Sequence, residues 1–569
     1  MALFEKSRLV FASRKDIKNV LVADGAPTEG KSRHNKDLLP TPPQDRTWKW
    51  THYFAYYLTS TFSPSGYNLG ASLISMGLLW WHCMIAAVIG SGILTVGVIL
   101  NSRGAAKYYI GFPVYVRAAA GIRGASLYIL VRALVATIYF STQTYYGGRL
   151  LSVLMRAIFG NGYYNIPNHL PTSAGITSRD LLSFFIFWII QFPVMFIHPK
   201  VLRHLFVVKA IYTTIALFGV LGWAISANGG TIGDFSFDTD KPRLSGTALI
   251  WPTISAINSV MGALAPLLVN QPDIARYSKS FTATTWSQGL GILSSKTLVM
   301  FLSTATTSAA TGVLGKSYWN VWDLYDAILT RYWSHGARAG IVFSSFGMIL
   351  ATIITNAGSN SLPVGADITG IFPKWLTIVR GQCLCAILAP LLVPWKIIAN
   401  ATSFLTFLGS YTVFLMPICA SMIVDYWIIR KGNFHIPSLY VLHPEKPYTY
   451  YKGWNIRMLL AWVSGIAFTV HGIAGSLNPG SVNVASTNMY KLGFVLSFLM
   501  GGFVYYLLSL LWPPKILPSI DHHSSVSTFE ALAANEGFFE DETLTNITGE
   551  LPAAGSETEH ATSSAMSHD

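Results

Sequence analysis

Apolar residues fall along this chain in long blocks parted by short polar stretches, and the length of the blocks decides the class of structure. About 20 apolar residues of helix, rising about 1.5 Å each, cross the hydrocarbon of a bilayer. Twelve blocks of that size lie between Trp50 and Trp512, at approximately 51–80, 82–102, 124–158, 180–197, 202–226, 248–269, 281–314, 336–366, 375–395, 400–429, 456–476 and 489–511. A helix satisfies its own peptide groups where water is absent, so the pattern predicts an all-α membrane protein of twelve transmembrane helices. Residues 1–50 form a basic, proline-containing tail, 51–512 the twelve-span core, and 513–569 a second tail without Lys or Arg after Lys515. Rich in Ser, Thr and acidic residues, that last segment is expected to be disordered. Two blocks are interrupted. Ser63-Pro64-Ser65-Gly66 breaks span 1, and Gly262-Ala263-Leu264-Ala265-Pro266 breaks span 6, because proline removes an N–H donor and clashes with the preceding turn. Breaks five spans apart fit a 5+5 inverted repeat plus two extra helices, a plan in which backbone exposed at mid-membrane binds substrate or ion.

Composition agrees with the pattern: of 569 residues 51% are hydrophobic and 11% charged, a poor match to a soluble fold. The formal charge of +13 is accounted for by placement. Arg103, Lys107, Arg117 and Arg123, then Lys200 and Arg203, Arg276 and Lys279, and Arg430 and Lys431 fall in alternate loops, which the positive-inside rule assigns to the cytosol. Both termini come out cytosolic, no signal peptide precedes the first block, and no nucleic-acid partner is needed to explain the charge. Cys83, Cys383, Cys385 and Cys419 read as packing thiols, and no metal-spaced histidine cluster or nucleophile triad points to an enzyme or a cofactor.

Polar residues inside a membrane are costly and mark pathways. Tyr139 and Gln143 stand four residues apart on one helical face of span 3, where a ring stacks and an amide reads an imide or lactam edge. Asn356 and Asn360 repeat the spacing in span 8 and offer donors and acceptors without charge; bonding between helices is the other reading of both pairs. Lys209, deep in span 5, is a tethered cation, a titrating group or a snorkelling side chain. Asp273 and Arg276 read as an ion-pair network near the cytosolic interface.

The runs NKDLLPTPPQDRTW before span 1, QTYYGG in span 3, VNQPDIARY after span 6, and TNAGSNSLPVGADITGIFP with IVRGQ after span 8 resemble the nucleobase-cation-symport-1 family, in particular its fungal Fur-like group of uracil, allantoin and uridine carriers. The resemblance implies a LeuT-type fold and cation-coupled uptake across the plasma membrane. It places Tyr139 where the family has a tryptophan four residues before a glutamine, here Gln143. It puts Leu264, in the Gly262-Ala263-Leu264 run, where the family has a second aromatic clamp, so that one wall of the sandwich is aliphatic and a bulkier or less planar cargo fits. Asn356 and Asn360 match its substrate-reading asparagines. Where sodium-coupled relatives carry hydroxyls, this chain has Ile354 and Thr355, and an isoleucine offers a hard cation no oxygen. Proton coupling is therefore expected, with Lys209, Thr355 and Asp273 as ion-coupling candidates.

The mechanism so implied is alternating access, with Phe404 or Phe407 of span 10 as a bulky gate over the site. A nutrient receptor that binds without transporting, a channel, and a thiamine or nicotinamide riboside carrier of the same family are the alternatives. The lipid bilayer and a small molecule are the expected partners. Ubiquitin-ligase machinery would have to act on the cytosolic loops or on the N-tail, at Lys6, Lys15, Lys18, Lys31 or Lys36, unless those lysines are ordinary charges attracted to anionic lipid.

Overall fold

A computed structural model describes residues 22–25, 33–197, 199–233, 246–516, 528–539 and 542, with backbone alone at 199–204. Of the tail lysines considered above, Lys36 is exposed, and Lys6, Lys15, Lys18 and Lys31 lie outside the described residues. The described chain is helical, with two isolated bridges and no named strand. Ten helices are long and apolar enough to cross a membrane. With the interrupted first block and the shorter apolar helix Ile378–Leu392, these ten helices of the described residues are consistent with the twelve crossings read from the sequence. Large apolar side chains such as Val96, Leu130, Ile189, Ile211 and Phe503 are exposed around the bundle, as a surface solvated by lipid requires.

The first crossing is divided into α1 (Trp50–Thr61) and α2 (Pro64–Ser75). Ser63 sits between them in extended backbone, φ −155° and ψ 164°, and its Oγ accepts the Gly66 N–H at 3.3 Å as an N-cap. Pro64 at the first helical position is preset for a helix start. A Cβ on Gly66 would lie 1.9 Å from the carbonyl oxygen of Thr61, so only glycine lets α2 begin this close to the end of α1.

The chain continues through α3 (Trp80–Tyr108), a buried connecting helix α4 (Phe112–Ala120), α5 (Ala125–Phe159), α6 (Ser178–Gln191) and α7 (Pro199–Ala227). The sixth crossing, α8 (Ile250–Ala275), runs through Pro266 and Pro272 without unwinding. This corrects the expected break. Proline deletes one rung of the hydrogen-bond ladder, and a side chain from another helix repairs it, as described below. There follow α9 (Trp286–Leu314), a short helix α10 (Val321–Arg331), and the eighth crossing, in which α11 (His335–Thr355) and α12 (Leu362–Ile371) are joined by a π-helical turn at Asn356–Ser361. The ninth crossing begins with α13 (Ile378–Leu388), the tenth holds α14 (Ala401–Ser410) and α15 (Thr412–Val424), and α16 (Ile456–Ala467) and α17 (Gly493–Leu511) belong to the last two.

These helices sort into two sets. α1, α2, α3, α8 and α9 pack on one another; α5, α6, α11, α12 and α13 form the second set; α7 leans on both, and α16 and α17 cover α15. One ionic centre ties the sets together. The guanidinium of Arg132 on α5 lies 2.7 Å from Asp273 of α8 and donates to both oxygens of Asp367 of α12, at 3.0 and 2.8 Å from Nε. The other oxygen of Asp273 accepts the Phe112 N–H at 2.9 Å, and the Arg132 guanidinium lies 3.8 Å from the centre of the Phe112 ring. Arg276 is not the partner of Asp273, contrary to the expected pair. It donates instead to the Thr41 hydroxyl at 2.7 Å and to the carbonyls of Asp37 and Leu39 at 3.0 and 2.6 Å. Residues 33–49 are thereby drawn across one end of the bundle, the tail face, where residues 528–539 also pack. This second segment lies within the stretch expected to be disordered.

Removing the arginine leaves two carboxylates facing each other in a dry interior. Arg132→Ala is expected to cost about 3–5 kcal/mol. The detergent-solubilised protein should lose its monodisperse size-exclusion peak at a clearly lower temperature than the parent, whereas the exposed Lys279→Ala variant should melt with the parent; equal melting of all three would refute the ionic centre's role.

Candidate functional site

Mid-way through the bundle the two helix sets leave a cavity of about 40 Å³. One water needs about 10–15 Å³, and ligand pockets commonly measure about 300–1,000 Å³. The site is therefore closed, and a ligand requires the two sets to part. Ser60 and Ser65 line it from the first crossing, Tyr139 and Gln143 from α5, Leu264 from α8 and Asn360 from the π-helical turn, with Thr355 beside it. Gly262, Asn356, Lys209, Asp273, Phe404 and Phe407 do not line this cavity.

Gln143 reaches the start of α2, its Nε2 donating to Ser65 Oγ at 3.1 Å. Its Oε1 is buried and has no hydrogen-bond partner. A buried acceptor left unmade costs about 1–3 kcal/mol, so this oxygen favours any guest that brings an N–H to it. Asn360 donates from Nδ2 to Asn356 Oδ1 at 2.8 Å. Asn356 itself is locked behind the wall. Its Nδ2 donates to the Phe140 carbonyl at 3.2 Å, to Gln191 Oε1 at 3.0 Å and to Thr144 Oγ1 at 3.3 Å, and it is fully buried. Its geometry orients Asn360 and fastens the eighth crossing to α5 and α6.

The Tyr139 hydroxyl donates to the hydroxyl of Tyr411, which in turn donates to the carbonyl of Gly262. This is the repair of the proline defect in α8: Pro266 has no N–H to give the carbonyl four residues before it, and Tyr411 supplies the missing donor. Gly262 is required by packing as well, because a Cβ there would lie 2.1 Å from the Leu408 carbonyl oxygen. Leu264 lines the cavity with an aliphatic side chain. Tyr411 was not anticipated. A carbonyl four residues before a membrane proline signals that some donor must come, but the identity of that donor depends on which helix crosses there.

Of the gate candidates, Phe407 lies behind Tyr139, ring centres 5.1 Å apart, and Phe404 is buried against Trp319 at 5.9 Å. Lys209 does not snorkel: it is fully buried on α7 and its Nζ donates to Thr355 Oγ1 at 2.7 Å. One hydroxyl thus separates an ammonium group from the cavity. Asp273 is held by Arg132 and Phe112, away from the cavity.

A family model described as a permease for cytosine/purines, uracil, thiamine and allantoin matches residues 40–501. The allantoin permease of Saccharomyces cerevisiae is 29% identical over 89% of this chain and 80% of its own length. The uracil permease of the same yeast is 31% identical over 82% of this chain and 74% of its own length. Among solved structures, Mhp1, a nucleobase-cation-symport-1 family transporter in a closed conformation with bromovinylhydantoin bound, superposes with a TM-score of 0.66 at 20% identity, covering 85% of this chain and 97% of that one. That likeness shows the shared fold, and the relatives are permeases rather than enzymes. With the family model spanning most of its length, the chain is a membrane transporter and belongs to the family of permeases for cytosine and purines, uracil, thiamine and allantoin.

Proposed function

We propose that this transporter takes up a small uncharged nucleobase-like compound, of the class of uracil, allantoin or uridine, across the plasma membrane by proton-coupled alternating access, with both tails in the cytosol. The observation that carries the substrate class is the unpartnered Oε1 of Gln143, a residue that lines the closed cavity together with Tyr139 and Asn360. An acceptor, an aromatic face and a second amide, with no carboxylate or ammonium on the lining, suit a neutral ring bearing N–H and C=O groups. The names of the yeast relatives, allantoin and uracil permeases, favour the same class. Leu264 in place of a second ring favours cargo less flat than uracil.

Proton coupling is supported by Lys209. Its ammonium donates to Thr355, beside Ile354, at the place where a bound metal cation would need oxygen ligands. A lysine there supplies the positive charge itself, and gaining or losing a proton switches that charge on or off without a bound metal ion. Asp273 serves the cycle differently, as part of the ionic centre that must hold or release when α8 shifts against α5 and α12.

Four outcomes test this reading. A competition panel of uracil, allantoin, uridine, thiamine and nicotinamide riboside in cells lacking their own permeases should show saturable accumulation of one of them; binding without accumulation would make the protein a receptor. Gln143→Ala and Asn360→Ala should each weaken uptake by roughly tenfold or more, as loss of a buried hydrogen-bond partner implies, at unchanged surface expression. Uptake should collapse with a protonophore and be indifferent to replacing sodium. Lys209→Ala should remove uphill accumulation, and sodium dependence of the parent would overturn the coupling assignment.

A further inference from the structure

Residues 528–539 and Glu542 lie on the tail face with contacts too numerous and too specific for a segment of that composition. The segment is acidic, and the surface beneath it is basic. Glu530 has both oxygens taken by the Arg103 guanidinium at the end of α3, one of them at 2.9 Å from Nη2, while the Tyr426 hydroxyl donates to it at 2.8 Å and Lys107 Nζ stands 3.7 Å away. Burial by itself raises the affinity of the Glu530 carboxyl for a proton, but the hydrogen bonds from Arg103 and Tyr426 outweigh it and hold the group below the usual carboxylate range. Glu536 receives both terminal nitrogens of Arg46, at 2.5 and 2.9 Å. Glu542 lies 3.0 Å from His435 Nε2.

The backbone is gripped as firmly as the charges. The Glu530 N–H donates to the Lys431 carbonyl at 2.8 Å, the Leu532 N–H to Asn433 Oδ1 at 3.0 Å, and the Ile436 N–H to the Gly537 carbonyl at 3.2 Å. Asn433 Nδ2 returns a bond to the Thr528 carbonyl at 3.1 Å. Leu532 is buried, and Phe529 lies over Trp427 with ring centres 5.4 Å apart. Gly537, at φ 87°, would place a Cβ 2.6 Å from the Phe434 carbonyl oxygen, so no other residue fits there. Glu530 and Glu536 are themselves left-handed, at φ 58° and 55°, a conformation that persists only where surrounding contacts impose it.

What the segment holds together gives it a role. Arg46 belongs to the strap of residues 33–49. That strap is bound by Arg276 at the end of α8 and, on the second helix set, receives the N–H of Ile378 at Asp37 Oδ2 at 3.0 Å. Asn35 Nδ2 likewise donates to the Pro373 and Leu376 carbonyls at 3.0 Å each. The strap thus crosses the seam between the two sets at the tail face, and the acidic segment clips it to α3 and to the 430–440 loop. In a transporter this seam must part for the site to open on that side.

We infer that the tail face carries a built docking cradle for this chain's own acidic residues 528–539 and Glu542, and that its occupancy restrains opening of the site toward the tails. The docking stands without any assumption about cargo; the restraint rests on the alternating-access reading. Both are tested in the full-length membrane-embedded chain with Cys383→Ser, which leaves buried native thiols. A cysteine introduced by Leu532→Cys should react slowly with a maleimide. The rate should rise by about tenfold with Glu530→Ala or Arg103→Glu, as loss of a charge-assisted hydrogen-bonded pair implies, and fall again in the Arg103→Glu, Glu530→Arg double variant. Fast labelling of the parent, or no recovery on the charge swap, overturns the cradle.

The restraint is read separately by Ser60→Cys, which lies on the cavity wall, with an impermeant reagent applied from the tail face. Faster labelling with Glu530→Ala supports it, and an unchanged rate overturns it. Neither readout needs a known cargo, so failure of every compound in the uptake panel would count against the substrate class and leave these results standing.

Discussion

A peptide group without a partner costs several kcal/mol in hydrocarbon, where no water stands in, and the geometry of this transporter's centre follows from that constraint. Pro266 strips the carbonyl of Gly262 of its helical donor. The donor that arrives is Tyr411, brought in by a tenth crossing that can approach only because residue 262 lacks a side chain. Once Tyr411 is committed to that carbonyl, its oxygen is placed to accept from Tyr139, and the aromatic face of the cavity is thereby oriented. On the other side, Ser63 caps the start of α2, and Ser65 in the same turn receives the amide of Gln143. The break in the first crossing and the missing hydrogen bond in the unbroken sixth are satisfied by side chains at or next to the site.

The same constraint explains the ionic centre. Arg132, Asp273 and Asp367 are almost wholly buried, and isolated they would be unaffordable. Together with the Phe112 N–H they close a network spanning α4, α5, α8 and α12. It joins helices of the two sets, so it couples their positions.

Much of this was legible in the sequence. Block length predicted the crossings within a few residues, since hydrophobic thickness dictates helix length. The four-residue spacing placed Gln143 and Tyr139 on one face of α5, and both line the cavity. Spacing could not tell which way that face turned for Asn356, whose amide is spent on Phe140, Thr144 and Gln191, while Asn360, one turn on, lies at the wall. The proline of α8 was visible, but its effect was not: whether a helix unwinds or stays whole depends on a donor from elsewhere. Asp273 and Arg276, three apart, looked like a pair, yet each has a stronger partner distant in sequence. Composition also misjudged residues 528–539, because a few acids aligned over a complementary surface outweigh a low average hydrophobicity.

The polar groups of the closed cavity bond largely within the protein: Tyr139 to Tyr411 and Asn360 to Asn356 behind the wall, and Gln143 to its neighbour Ser65. An unloaded carrier must complete half of every turnover with nothing aboard, and these internal bonds act as a placeholder passenger that lets it do so without stranding bare dipoles in oil. Selectivity is then a contest. Any guest that enters competes with these bonds, while the Gln143 oxygen and the Ser359 hydroxyl on the lining have no partner to give up.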